Sequence, residues 1–189
     1  MRGKAPLEES TRAEQFGSAE IGRNLVFAGL FLLAAELIGE LVVSRVKGFY
    51  AHTTFSSGPF KNYDADVLSR DKDVFKASLL FLRDHLGAIT SEQVMDVLSV
   101  RAHRNVLAHE LSSRVASLDP LESEMLLTRA RDVLFTLSNL WTRMEIGPDR
   151  GLASVDVDWS RVHGEALALL DRVIEKTHHL RSAATLNDG

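Results

Sequence analysis

The chain has 189 residues, of which 45% are apolar, so it is long enough for one domain with a sizeable core and short for two. It contains no cysteine, which excludes disulfides and thiolate metal sites and predicts a reducing, cytoplasmic location. Its formal net charge of −4 argues against a general nucleic-acid coat protein, so any RNA binding must come from a local basic patch.

Both ends of the chain are predicted to be flexible tails. Residues 1–18 are polar, lack helical periodicity and have no apolar segment of the kind found in a signal peptide. Residues 182–189 are predicted to fray. A single folded domain is therefore expected over residues 19–181.

The most hydrophobic stretch lies at residues 25–46, and its uncharged run is eleven residues long. This run is shorter than the roughly 20 apolar residues that a membrane-spanning helix needs. The stretch is therefore predicted to be the buried central helix of a bundle, with no membrane association. Glu36 and Glu40 lie on one face of it, where they either pair with the arginines of the helix predicted at residues 91–117 or face solvent.

Residues 48–64 break the helical pattern with a Gly-Pro pair and a polar cluster, which predicts an aromatic-rich loop. Three phenylalanines are expected to pack onto the bundle as a lid: Phe49, Phe55 and Phe60. Tyr50, His52 and Tyr63 are candidates for substrate contact, because bases stack on aromatic side chains in the recognition of single-stranded RNA.

The rest of the chain predicts further helices, separated by recognisable stop signals. Thr90 and Gln93 have the spacing of a capping box, and Gly87 is expected to end the preceding helix. Four helices are predicted, at residues 71–86, 91–117, 121–146 and 159–180. Since strand patterns are absent from the sequence, the fold is predicted to be all-α, a compact bundle of about five helices.

The helix at residues 91–117 carries most of the polar residues with a chemical interpretation. Residues three or four apart are neighbours on a helix, so Asn105 stacks on Arg101 and His109 stacks on Asn105. Arg104 and His109 are five apart and lie about 140° from each other round the helix. They flank a polar strip of Arg101, Asn105, Ala108 and Ser112. The opposite stripe is apolar and is expected to face the core: Val100, Leu107, Leu111 and Val115.

Arg104-Asn105-Val-Leu-Ala-His109 matches the R-x(4–6)-H motif, and in this respect the chain resembles HEPN domains. The resemblance implies a small helical bundle that dimerises. It further implies a metal-independent ribonuclease of the toxin or phage-defence type, or a relative that has lost the activity and only binds. Arg104 and His109 would be the catalytic pair, with Asn105 and Arg101 in support. Ser112 is a further candidate for substrate contact.

The partners implied by the resemblance are an RNA substrate, a second copy of the chain and an antitoxin or other regulatory protein. HEPN toxins silenced by a nucleotidyltransferase often have a tyrosine two residues after the histidine, whereas this chain has Leu111, which argues against nucleotidylation there. A basic patch of Arg101, Arg104 and Arg114 with two histidines is expected to bind the RNA. His103 points elsewhere on the helix and is interpreted as a structural residue.

The sequence gives no sign of a metal or cofactor site. A ferritin-like metal bundle uses two Glu-x-x-His pairs, and this chain has one, Glu175-Lys-Thr-His178. Phosphate-binding glycine loops, zinc motifs and nucleophile elbows are also absent from the sequence. RNA supplies its own nucleophile, the 2′-hydroxyl, so an imidazole and a guanidinium suffice. Two hypotheses remain: a metal-independent endoribonuclease, and an inactive module that dimerises or binds a nucleotide or a protein.

Overall fold

The computed structural model describes residues 18–53, 58–115, 118, 120–146, 157–159, 161–162 and 164–187. These residues form helices and connecting turns, with no strand among them. Six α-helices and one 3₁₀ turn are present there: α1 (Ser18–His52), α2 (Tyr63–Asp66), the turn (Leu68–Arg70), α3 (Val74–Asp84), α4 (Ser91–Arg114), α5 (Pro120–Ile146) and α6 (Glu165–Asn187). The predicted all-α bundle is confirmed.

Helix α1 is the central helix, and it packs against α3, α4, α5 and α6. Its core-facing side chains recur every three or four residues, as expected for one buried stripe of a helix. They are Phe27, Phe31, Ala34, Ile38, Val42 and Val46, each at most 1% exposed. The opposite face is not covered, since Leu25, Val26 and Leu33 are 48%, 54% and 45% exposed.

Helix α1 is longer than the sequence pattern indicated, because it continues without a break past Glu36, Glu40 and Gly48 to His52. Its part from Ile21 to His52 is long and apolar enough to cross a membrane by length and composition. The core helix of a soluble protein also passes this test. Because α1 continues to His52, the predicted loop begins later than residue 48. Residues 54–57 lie outside the described part of the chain.

The capping box predicted at the start of α4 is confirmed. The Gln93 backbone N–H donates to Thr90 Oγ1 at 3.2 Å, and the Thr90 backbone N–H donates to Gln93 Oε1 at 2.8 Å. Helix α3 starts three residues later than predicted, because Asp73 accepts hydrogen bonds from the N–H groups of Phe75 and Lys76 and so caps it. Gly87, with φ +58°, follows α3 as expected.

The last helix differs most from its prediction. Helix α6 begins at Glu165 and continues to Asn187, so it starts later than residue 159 and extends into the predicted tail at 182–189. Helix α5 agrees with its prediction to within one residue. The predicted tail at residues 1–18 lies outside the described residues except for Ser18, where α1 begins.

The predicted aromatic lid is confirmed for two of its three phenylalanines. The Phe49 ring lies 5.1 Å from the Phe60 ring and 5.9 Å from the ring of Trp141 on α5. Phe60 also lies 5.0 Å from the His85 ring. The third member, Phe55, is outside the described residues.

Candidate functional site

The two faces predicted for α4 are present. Val100 and Leu107 are 1% and 2% exposed and pack in the core, whereas Asn105 and Ala108 on the polar strip are exposed. Ser112, at the far end of the strip, is exposed too. The strip is therefore accessible from solvent along two turns of the helix.

Arg104 is held by a carboxylate from α1. Its Nη2 donates to Glu36 Oε1 at 2.6 Å, and its Nη1 donates to Asn105 Oδ1 at 3.3 Å. The side chains of Arg104 and Glu36 are 37% and 66% exposed. Glu36 thus faces solvent and pairs with the motif helix at the same time. An ion pair this exposed contributes only about 0.2–1 kcal/mol, so another anion can displace the carboxylate.

Arg101 is held by a carboxylate from α3. Its Nη1 donates to Asp73 Oδ1 at 2.5 Å, and its guanidinium lies 5.2 Å from the centre of the Phe75 ring. Partial burial raises the pKa of Asp73, but the hydrogen bonds from Arg101 and from backbone N–H groups outweigh it, and the net pKa is lowered. Both described arginines of the predicted basic patch are therefore neutralised locally. The side chain of Arg114 is outside the described residues.

Between α1, α3 and α4 lies a cavity of about 340 Å³, which we call the α4 cavity. Its polar rim is formed by Glu36, Arg101, Arg104 and Asn105. Its apolar lining is Ile38, Val43, Phe75, Val97 and Val100. On the α1 side the wall is low, because Ala35 and Gly39 line it, and a Cβ built on Gly39 meets no atom within 4 Å.

His109 does not line this cavity. It is exposed, and its ring has no hydrogen bond or ion pair with any residue that the structure describes. Five residues along a helix correspond to a rise of about 7.5 Å and a rotation of about 140°. One chain therefore brings Arg101, Arg104 and Asn105 together but leaves His109 on a neighbouring part of the surface.

His103 has the structural role expected of it. Its Nε2 lies 2.8 Å from the hydroxyl of Ser123, a fully buried residue of α5. Its ring meets that of Phe31 edge-on at 4.9 Å. These contacts join α4 to α1 and α5 on the side away from the α4 cavity.

The aromatic candidates of the 48–64 segment do not reach the α4 cavity. The Tyr50 hydroxyl donates to Asp66 Oδ2 at 2.8 Å, and burial together with this bond raises the pKa of Tyr50. Tyr50 and Tyr63 line a shallow groove with Lys47 and Lys61, and His52 lines a separate cavity beside Trp141. Their positions give them packing roles or contacts remote from Arg104.

Asp66 is the buried anchor of this aromatic segment, at 6% exposure. Burial raises its pKa, but the Lys61 backbone N–H and the Tyr50 hydroxyl both donate to its carboxylate and lower the net pKa. Asp66 therefore holds the end of α1 to the short helix α2.

His178 of the Glu-x-x-His pair and the adjacent His179 each contact a glutamate. His178 Nδ1 lies 2.8 Å from Glu124 Oε1, and His179 Nε2 lies 3.5 Å from Glu175 Oε1. Within the described residues, no group of three or more His, Asp or Glu side chains could hold a metal ion.

Sequence reasoning missed three residues of the site: Asp73, Phe75 and Gly39. Asp73 could have been recognised as a helix cap, but its pairing with Arg101, 28 residues away, depends on how α3 packs on α4. Gly39 could have been noticed as a glycine inside a helical, apolar stretch, since such a glycine often has a packing or functional reason.

Comparison of the chain with known protein families, with characterised proteins and with solved structures gives no match.

Proposed function

We propose that the protein is a metal-independent endoribonuclease of HEPN type that acts as a toxin or defence effector. The observation that carries the proposal is the chemical availability of the motif residues on α4. Arg104 is held by one exposed carboxylate, and the exposed His109 makes no hydrogen bond or ion pair with a residue that the structure describes. A purely structural arginine or histidine is buried or has all of its hydrogen-bonding groups engaged within the protein. Neither description fits Arg104 or His109.

The reaction needs proton transfer and charge stabilisation. His109 takes the proton of the ribose 2′-hydroxyl, since an imidazole is the side chain that most often acts as a general base near neutral pH. The 2′-oxygen forms a bond to phosphorus, the bond from phosphorus to the 5′-oxygen breaks, and that oxygen takes up a proton from solvent. Arg104 donates to the phosphate oxygens and stabilises the negative charge of the transition state. The products are a 2′,3′-cyclic phosphate and a 5′-hydroxyl.

The proposal includes a homodimer, because within one chain His109 lies outside the α4 cavity. Asn24 Nδ2 donates to the Val115 carbonyl at 2.7 Å and Glu36 pairs with Arg104, so α1 and α4 run antiparallel, side by side. This register places Leu33, on the exposed apolar face of α1, at about the level of Ala108 on α4. A two-fold axis at this surface would cover the apolar face and place two motifs in one groove.

The proposal is tested by RNA cleavage with matched variants. We expect Arg104→Ala and His109→Ala to cleave cellular RNA at least about 100-fold more slowly than wild type. General acid–base catalysis contributes about 10²–10⁴-fold, and a group that stabilises transition-state charge contributes about 10²–10³-fold. Arg45→Ala is the matched control for the arginine, because Arg45 forms a similarly exposed pair with Glu145 at 2.8 Å. His179→Ala is the control for an exposed histidine. Equal loss in the control variants would contradict the assignment.

A second candidate, an inactive HEPN-like module that dimerises or binds a nucleotide or a protein, is favoured by one observation. Arg101 and Arg104 are both paired with carboxylates, which lowers their net charge toward the phosphates of an RNA chain. A folded wild-type protein that dimerises or binds a nucleotide but cleaves no RNA of a cellular pool would select this candidate.

A further inference from the structure

The α4 cavity has features that catalysis by Arg104 and His109 does not require. A guanidinium that only stabilises phosphate charge needs no apolar wall behind it. Here the core side chains Val97 and Val100 form the floor of the cavity, and its accessible apolar wall consists of the half-buried residues Ala35, Gly39 and Val43. An apolar wall behind a polar rim that contains two arginines suits a ligand with a flat apolar part and an anionic part.

The size of the cavity fits one small group. Small-molecule sites have volumes of about 300–1,000 Å³, and the value of about 340 Å³ is at the low end of this range. It suits a nucleobase with part of its ribose and is too small for several stacked bases.

The rim supplies the groups that nucleotides bind. The Arg101 guanidinium carbon lies 5.2 Å from the centre of the Phe75 ring, so two planar groups on which a base can stack stand together at one side of the opening. At the other side stand Arg104, which can hold a phosphate bidentately, and Asn105, whose amide can contact a base edge.

We propose that the α4 cavity binds the nucleobase adjacent to the phosphate held by Arg104 and thereby sets the base preference of the protein. The phosphate replaces Glu36 on Arg104, and the base enters the space beside Ala35, Gly39 and Val43. That the nucleotide is part of an RNA substrate rests on the proposed function. Binding of a single nucleotide does not, and it can be measured without cleavage.

The test uses the full-length protein and free ligands. The four nucleoside 5′-monophosphates, ribose 5-phosphate and inorganic phosphate are titrated by calorimetry, and binding is mapped by ¹⁵N-labelled amide shifts. We expect at least one nucleotide to bind at least tenfold more tightly than ribose 5-phosphate. The largest shifts should lie at residues 35–39 and 97–105.

A larger side chain at Gly39 is expected to fill the cavity from the α1 side. A Cβ at Gly39 meets nothing within 4 Å, and leucine forms helices better than glycine by about 1 kcal/mol, so Gly39→Leu should fold and fill the space. Gly48→Leu is the matched control on the same helix, where the added Cβ meets only His52 Cδ2 at 3.9 Å. We expect Gly39→Leu to reduce nucleotide binding to the level of ribose 5-phosphate, Gly39→Ala to retain most of it, and Gly48→Leu to bind as wild type does.

The outcomes separate this inference from the proposed function. Equal binding of nucleotides and ribose 5-phosphate, shifts centred elsewhere, or equal binding by Gly39→Leu and Gly48→Leu would overturn the base site. The shift map of the wild type decides the matter even where Gly39→Leu does not fold. Selective nucleotide binding at the cavity in a protein that cleaves no RNA would support the base site and refute the ribonuclease. RNA cleavage with a base preference that Gly39→Leu leaves unchanged would support the ribonuclease and refute the base site.

Discussion

Replacing Glu36 by glutamine should strengthen RNA binding, because this carboxylate competes with the RNA phosphate for Arg104. The pair is short, 2.6 Å, but its side chains are 37% and 66% exposed, so solvent screens it. Exposed pairs of this kind contribute about 0.2–1 kcal/mol. Removing the competitor should therefore tighten binding by up to about fivefold, since 1.4 kcal/mol corresponds to about tenfold.

The salt dependence of binding gives a second, independent magnitude. For single strands, log K falls with log salt concentration with a slope of about −0.7 for each phosphate neutralised. If Glu36→Gln allows Arg104 to neutralise one more phosphate, the slope should become steeper by about 0.7. The free energy of unfolding of Glu36→Gln should be nearly the same as that of wild type, because the lost ion pair is exposed.

The assay is fluorescence anisotropy with a 2′-O-methyl RNA, which cannot be cleaved by 2′-hydroxyl attack, at 50–200 mM salt. Glu145→Gln is the matched control, because Glu145 on α5 forms a comparably exposed pair with Arg45 on α1. Weaker RNA binding by Glu36→Gln, with Glu145→Gln unchanged, would refute the reasoning. Glu36 would then position Arg104 for the phosphate instead of competing with it.

Three further predictions concern stability and assembly. Arg104→Ala and His109→Ala should unfold within about 1 kcal/mol of wild type in urea, since substitutions at exposed positions usually cost about 0.5 kcal/mol or less; a larger loss would make either residue structural. Leu33→Glu should convert a dimer to a monomer in sedimentation experiments, because it places a charge on the exposed apolar face of α1; a wild type that is already monomeric, or that partitions onto lipid vesicles through this face, would contradict the dimer. Asp66→Asn should lower the free energy of unfolding at neutral pH by about 1–3 kcal/mol, because the carboxylate accepts two part-buried hydrogen bonds. Since the pKa of Asp66 is lowered on folding, its contribution is present above its ordinary pKa and is lost as pH falls through the folded-state value, so the difference between Asp66→Asn and wild type should shrink in acid; a pH-independent difference would count against this account.

Local signals in the sequence predicted the parts of the fold that local chemistry determines. The capping box of Thr90 and Gln93 and the stop at Gly87 involve neighbours in sequence, and both were predicted correctly. The predicted start of the loop at residue 48 is wrong, because α1 continues through Gly48 to His52. An interior glycine costs a helix only about 1 kcal/mol, and the packing of Phe49 against Phe60 and Trp141 outweighs that cost.

The candidate site likewise has features that local sequence predicts and features that depend on how the helices pack. Helical spacing alone separates Arg104 from His109 by about 140°, and in the structure His109 indeed lies outside the cavity that Arg104 lines. Pairing of Glu36 with an arginine of α4 was one of the two alternatives that the sequence left open, but the sequence could not select Arg104, nor could it predict that Asp73 pairs with Arg101. Asp73 and Glu36 are 28 and 68 residues away from their partners, so these pairs depend on how α3 and α1 pack against α4.

The most direct test of the proposed ribonuclease is cleavage in EDTA followed by analysis of the fragment ends. A reaction that uses the ribose 2′-hydroxyl, His109 and Arg104 should proceed at the same rate in EDTA and leave 2′,3′-cyclic phosphate and 5′-hydroxyl ends. A substrate with a 2′-deoxy or 2′-O-methyl group at the cut site should bind and remain intact. Loss of activity in EDTA, or fragments with 5′-phosphate ends, would show that a metal-activated water is the nucleophile and would contradict the proposed mechanism.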